Sequence, residues 1–385
     1  MTIQEALDNW ATDDTGPVAL HMKQRLLPVE ACDGEGAVIF PPTYADIGYN
    51  IDALSDGKRV AAIDSVGSQA NRLEPMFRSE SKDRNDWLVP QIEIVLQEGV
   101  KRSILDLAHR AADAVVQSSP KLKQLIEGAF KSLQDGDAGP LCALAPTSLV
   151  FGVWDSRGDT GEKRPRLVRS MIRAWDVEPL HAAAQFNSVW KALDEQQKKE
   201  LEQEAKKQKV KLSVKGFADA PGVFRDTKAP QYRDNAPNPE ARVLGGVLVK
   251  GRIEREVTVN LVALRGLRGK DPTETKAIRK YLLGLSLMAA TADMELFLRE
   301  GCHLRYGDEQ DVWHEVPRRG KPQQVTFPAD RSWLGQYAAE AAKPFRHKWR
   351  ELWPKDEDLS YTFDLKEAKK LLAKRTEEET PAGGS

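Results

Sequence analysis

"IDSVGSQANRLEPMF", residues 63–77, closes one element and opens another. It continues "KRVAAID" (58–64), an apolar run read as a strand, and then turns into a helical pattern. Leu73, Met76 and Phe77 can face a core. Ser65, Ser68, Gln69 and Arg72 fall on another side, because residues three and four apart share a helix face. A strand feeding a helix that carries a row of hydrogen-bond donors is the unit from which the rest of the chain is read. Two readings of the row stand side by side. Ser68, Gln69, Asn71 and Arg72 can hold a sugar–phosphate backbone from a helix start. Alternatively Ser65 or Ser68 is an N-cap and the asparagine is structural.

Working outward, "AVIFPPTY" (37–44) reads as a strand ended by prolines, and "WLVPQIEIVLQ" (87–97) as a strand whose start Pro90 weakens. "SILDLAHRAADAVVQSS" (103–119) has helical period and is followed by Pro120. "PTSLVFGVWDS" (146–156) reads as a strand, and "LVRSMIRAWDV" fits helix or strand. "NSVWKALDEQQKKELEQEAKKQK" (187–209) is a charged helix with a thin apolar stripe. Residues 216–246 are rich in Gly, Pro, Asp and Asn without a regular pattern, which marks a functional or disordered segment. "VLVKGRIEREVTVNLVAL" (247–264) alternates as one or two strands, and residues 274–301 form the clearest helix. The tail "KRTEEETPAGGS" is expected to be disordered. Strands and helices in this order give an α+β class.

The 385 residues are enough for a large core or for one core with sizeable insertions. Lys and Arg number 57 and Asp and Glu 58, so the total charge points to no partner, but its distribution is uneven. Lys163, Arg164, Arg166, Arg169 and Arg173 stand within eleven residues against Glu162 alone. Further basic groups lie at 265–280 and 318–321. Such patches suit either a polyanion grip or solvated helix faces. Three widely spaced cysteines suit a reducing cytoplasm and give no zinc spacing. The N-terminal stretch has no apolar h-region, so no signal peptide is expected, and 281–292 is too short an apolar run to span a bilayer.

Catalytic patterns are missing: there is no HExxH, no G-x-S-x-G, no G-x-G-x-x-G. "GDTGEKR" (158–164) has glycines three apart and no lysine beside the second, unlike a Walker A loop. No cofactor or metal is therefore expected. What remains is a Gly-rich basic loop in which backbone N–H groups with Lys163, Arg164 and Arg166 can cradle phosphates, extended by Arg169 and Ser170. A surface loop with ion pairs is the alternative. Phe224 and Tyr232 can stack on bases or pin their loop to the core. Asp155, Asp219 and Asp226 are loop acids that nothing brings together.

"DSVGSQANRLE" (64–74), "FGVWDSRGDTGEKRPRLVRSMI" (151–172), "GGVLVKGRIEREVTVNLVALRGL" (245–267) and "IRKYLLGLSLMAAT" (278–291) together resemble the Cascade backbone subunit of type I-G (formerly I-U) CRISPR systems, a RAMP-superfamily protein. The resemblance implies a modified ferredoxin-like (RRM-like) palm over residues 20–345, with finger and thumb insertions. Residues 187–209 would be a charged helical insertion, 216–246 the thumb, and 346–385 a C-terminal extension. It implies a non-enzymatic cytoplasmic protein that polymerises along a CRISPR RNA and presents it to target DNA, with sequence read by base pairing. Partners would be further copies, other Cascade subunits and a recruited helicase–nuclease, with no membrane. By position, Ser68, Gln69, Asn71 and Arg72 match the helix that faces guide RNA, and Lys163, Arg164, Arg166 and Arg169 the basic loop. A guide-dependent endoribonuclease and a protein-only scaffold remain alternatives.

Overall fold

In the computed structural model the described residues are 3–31, 36–44, 48–155, 161, 163–181, 189–210, 212, 215, 217, 244–326, 331–354 and 359–378. They form a mixed α+β structure around one large antiparallel sheet. Helix α1 (Ile3–Thr12) leads into strand β1 (Ala19–Pro28). Strand β2 (Arg59–Asp64) then feeds helix α2 (Val66–Leu73). Strands β3 (Val168–Trp175) and β4 (Ile253–Asn260) precede the buried helix α3 (Pro272–Ala290). Strands β5 (Cys302–Tyr306) and β6 (Val312–Val316) and helix α4 (Arg331–Leu352) follow.

Across the sheet, β1 pairs with β4, β4 with β3, and β3 with β2. The other edge of β1 is shared: residues 19–23 pair with β6 and residues 26–28 with β5. The alternation that makes these strands is plain. In β1, Leu20, Met22, Gln24 and Leu26 point inward; in β3, Val168, Ser170, Ile172 and Ala174 do. Helix α3 lies against β3 and β4, and α4 against α3. At the α3–α4 crossing a Cβ on Gly284 would stand 2.9 Å from the Cα of Ala338, so only glycine permits this approach. Tyr281 of α3 stacks on Phe345 of α4 at 4.8 Å between ring centroids.

The buried sheet face carries two apolar clusters. Leu20, Met22, Val168, Val257 and Val259 join the larger one, together with α3 and α4. Leu26, Ile172, Ala174 and Ile253 join the smaller. Between the two runs a polar row, Gln24, Arg255 and Ser170, all buried.

Several expected elements are drawn differently. Residues 146–156 are not one strand: Pro146–Val150 is a helical turn and only Val153–Trp154 is extended. A short run buried at every position fits either state, and Pro146 at the first helical position suits the helix. Residues 103–119 break into 3-10 turns at Ile104–Asp106 and Arg110–Ala112 and a helix at Ala114–Gln117. Arg110 has φ +55° there, and Asp113 caps the last piece by accepting from Val115 N–H. The strand at 37–44 shrinks to Val38–Ile39 and Thr43–Tyr44, and that at 87–97 begins at Glu93. The helix expected over 274–301 ends at Ala290, where the chain turns into the strand Phe297–Arg299. The charged helix is Glu195–Lys207, with Ala205 its buried residue. A final helix, Leu365–Glu378, covers the first part of the tail expected to be disordered. Most of 216–246, with Asp219, Phe224, Asp226 and Tyr232, lies outside the described residues. None of the described helices is long and apolar enough to cross a membrane.

Candidate nucleic-acid interface

Asp64, the last residue of β2, is buried. Its Oδ1 accepts from Ser68 Oγ at 2.7 Å, and its Oδ2 accepts from Gln69 Nε2 at 2.6 Å and Arg72 Nε at 3.1 Å. Arg72 also donates to the Leu298 carbonyl at 2.8 Å, and Arg299 donates to the Ile63 carbonyl at 2.9 Å. Three of the four donors of "SQANR" therefore converge on one carboxylate and bind the start of α2 to the end of β2. Ser65 is the N-cap: its Oγ accepts from Ser68 N–H at 3.2 Å.

From Gln69 the contacts continue through the sheet. Ser170 Oγ donates to Gln69 Oε1 at 2.7 Å and accepts from Arg255 Nε at 3.0 Å. Arg255, fully buried, donates to Gln24 Oε1 at 2.8 Å and to the Ala292 carbonyl at 3.2 Å. Gln24 donates in turn to Asp311 Oδ2. Burial lowers the pKa of Arg255, and nearby Tyr306, Asp311 and Asp293 oppose that loss of charge. Gln69 and Ser170 thus sit inside the protein, hydrogen-bonded to each other, rather than on a surface.

Of the remaining predicted residues, Asn71, Lys163, Arg166 and Arg169 face outward and Arg164 is half-buried. Asn71 is exposed, and its Oδ1 accepts from Arg110 Nη2 at 3.2 Å. Arg110 is buried, pairs with Glu74 at 2.7 Å, and lies 5.4 Å from the Phe151 ring. Burial outweighs this pairing and pushes the Glu74 carboxyl up to about 7. Arg166 and Arg169 are both exposed. Arg166 has a lowered pKa, first through partial burial of its guanidinium and then through the positive charges of Arg110 and Arg169. No carboxylate among the described residues pairs with Arg166 or Arg169. Gly152, at φ +81°, brings the chain in close: a Cβ there would meet Arg166 Cγ at 2.7 Å. Arg169 faces Thr258 across the strands, and Thr258 faces His21, whose Nδ1 is 3.0 Å from Thr258 Oγ1. Burial lowers the pKa of His21.

Lys163 and Arg164 pair with Trp154 and Val153 in a short hairpin. Lys163 Nζ lies 5.4 Å from the ring of Trp154, which is 59 % exposed. Arg164 reaches back to the Leu133 carbonyl at 3.0 Å. The predicted residues thus divide. Asn71, Lys163, Arg166 and Arg169 form the outward set. Ser68, Gln69, Arg72 and Ser170 are engaged within the protein, and Arg164 is engaged with the helix Pro120–Gln134. Sequence reasoning missed Arg110 and Trp154. Trp154 stood within a quoted motif, whereas nothing local distinguished Arg110. Asp155 is fully buried. Among the described residues no group of three or more His, Cys, Asp or Glu could hold a metal ion.

An arginine pair, Arg166 and Arg169, with no carboxylate partner among the described residues, beside an exposed lysine–tryptophan pair, is chemically fitted to phosphate oxygens and stacked bases. No curated protein matches the chain. Residues 20–179, which hold Asn71, Arg110, Trp154, Lys163, Arg166 and Arg169, match the model of a CRISPR-associated family, the one described as CRISPR-associated protein GSU0053.

Proposed function

We propose that this chain is the CRISPR RNA-binding backbone subunit of a type I-G Cascade complex and acts in CRISPR defence without catalysing a reaction. The observation that carries the reading is the outward cluster of Arg166 and Arg169. It is unneutralised among the described residues, joined by Arg110 and Asn71, and lies inside the stretch matched by the CRISPR-associated family. Phosphate contacts of this kind position a strand without reading its sequence, leaving recognition of target DNA to the guide. The β5/β6–β1–β4–β3 strand order, with α3 following β4, supports a ferredoxin-like RAMP palm. In this reading Asn71, Lys163, Arg166 and Arg169 touch the guide backbone. Ser68, Gln69, Arg72 and Ser170 hold α2 and β3 in place beneath them. Further copies, other Cascade subunits and a recruited helicase–nuclease complete the assembly in the cytoplasm.

The test is purification of the chain from cells that express its CRISPR array. A discrete small RNA of array sequence should accompany it through high-resolution chromatography. Protein that is consistently free of nucleic acid, and that binds no added guide, would contradict the reading.

A further inference from the structure

The large sheet has a second face, opposite the one on which α3 lies. Residues directly opposite each other on antiparallel strands project to the same side. Pairing therefore lines up one row across five strands: Arg169 of β3, Thr258 of β4, His21 of β1, His314 of β6 and Gln324 of the short strand Gln323–Val325. Their chain neighbours Val168, Val257, Leu20, Met22 and Trp313 belong to the larger apolar cluster on the covered face. Alternation turns the row the other way. Arg169 and Gln324 are exposed, and Thr258, His21 and His314 are half-buried. With strands about 4.8 Å apart, the row reaches roughly 19 Å from Arg169 to Gln324.

The row has one arginine, at its end, and no carboxylate. That end is the one that meets the outward cluster, where Arg169 and Arg166 act on each other as like charges. Beyond it stand a hydroxyl, two imidazoles and an amide. His21 Nδ1 lies 3.0 Å from Thr258 Oγ1. Burial is the main cause that lowers the His21 pKa, against the pull of Glu256, and it leaves the imidazole uncharged at neutral pH. The next row along the strands differs. There Glu256 stands between Lys23 and Met171, and its carboxylate pairs with Lys23 at 3.1 Å and with Arg173 at 3.0 Å. A polyanion on that row would meet a carboxylate and cations already paired. On the first row it would leave Arg169 and meet donors and acceptors without repulsion. Hydroxyl, neutral imidazole and amide groups each donate and accept. So does the ribose 2′-hydroxyl, the group that tells RNA from DNA.

We propose that an RNA strand held by Arg166 and Arg169 continues across the open sheet face along Thr258, His21, His314 and Gln324, and that these four side chains bind its 2′-hydroxyls and select RNA over DNA. This path rests on the phosphate-binding role proposed for the two arginines. It adds the direction of the strand and the source of sugar selectivity.

The test compares single-stranded oligonucleotides of one sequence, as RNA and as the 2′-deoxy form, by fluorescence anisotropy on the full chain. The native chain should bind the RNA more tightly. Thr258→Val, His314→Ala and Gln324→Ala should each weaken RNA binding about threefold to tenfold and leave binding of the deoxy strand nearly unchanged, since it lacks the contact. None of the three removes a phosphate partner, so the slope of log affinity against log salt should stay as in the native chain. Gln324→Ala, at an exposed position, should also keep the native melting temperature. Equal affinity for the two strands in the native chain, or a preference for RNA that Gln324→Ala and the other folded variants all retain, overturns the path. Arg166→Ala/Arg169→Ala, measured beside them, separates the two roles. A lowered salt slope in that variant with sugar selectivity untouched by the row refutes the path alone, and a native chain that binds neither strand refutes the arginine role as well.

Discussion

Arg169 and Ser170 are neighbours in β3 and belong to different regions of the protein. Ser170 points inward, into a chain of buried contacts that runs from Asp311 through Gln24, Arg255 and Gln69 to Asp64. Arg169 points outward to Arg166, with no carboxylate partner among the described residues. Both regions are made of polar and charged side chains from the same motifs. They differ in whether their hydrogen-bonding capacity is spent. The inner chain separates two apolar clusters and, once formed, leaves little free for a ligand. Like charges in the outer cluster repel, and an anion relieves that repulsion. Residue type alone therefore does not mark the candidate interface; unspent capacity is the criterion proposed for it.

The contrast is sharpest for Arg255. Its replacement by Ala removes the centre of the buried row and strands Gln24 and Ser170, so a loss of about 3–5 kcal/mol is expected in urea unfolding. A variant with near-native stability would show that the row is not structural. Glu74 lies at the boundary between the regions, through Arg110. Its folded pKa of about 7 exceeds the ordinary 4.5, so between these values the folded chain keeps a proton that the unfolded chain has released. Stability should therefore fall as pH rises from about 4.5 through 7, by on the order of 2–3 kcal/mol, and level off above. Unfolding measured from pH 5 to 8 should show this slope in the native protein and not in Glu74→Gln. Ser170→Ala leaves Gln69 Oε1 and Arg255 Nε without their shared partner and should cost about 1–3 kcal/mol. Arg169→Ala, one residue earlier, should change stability by no more than about 0.5 kcal/mol by the same assay. Similar losses from the two adjacent substitutions would erase the distinction between inner and outer regions.

Much of the fold is legible in local pattern. The alternation in 247–264 gives β4, the run 58–64 gives β2, and the turn into "SVGSQANRL" gives α2. The errors arise where apolar residues are continuous or caps intervene. Residues 146–150 are buried on every side, Thr147 and Ser148 included, so neither period is visible, and Asp113 with the positive φ of Arg110 breaks a helical-looking stretch into turns. At the candidate interface, the charges of 163–169 are evident from spacing. The inward turn of Ser68 and Gln69 is not, because their partners are a buried Asp64 and a Ser170 about a hundred residues away. Arg110 is hidden for the same reason: its place beside Asn71 and Arg166 exists only after β2, β3 and the Gly152 turn have come together.

The division between spent and unspent groups is tested most directly by the salt dependence of guide-RNA binding, measured for the native chain, for Arg166→Ala/Arg169→Ala and for Arg72→Ala. The double variant should lower the slope of log affinity against log salt by about one to two, equally for unrelated guide sequences. Arg72→Ala should leave that slope unchanged. An unaltered slope in the double variant, or a larger change in Arg72→Ala, would contradict the assignment of the outer arginines to the phosphate backbone.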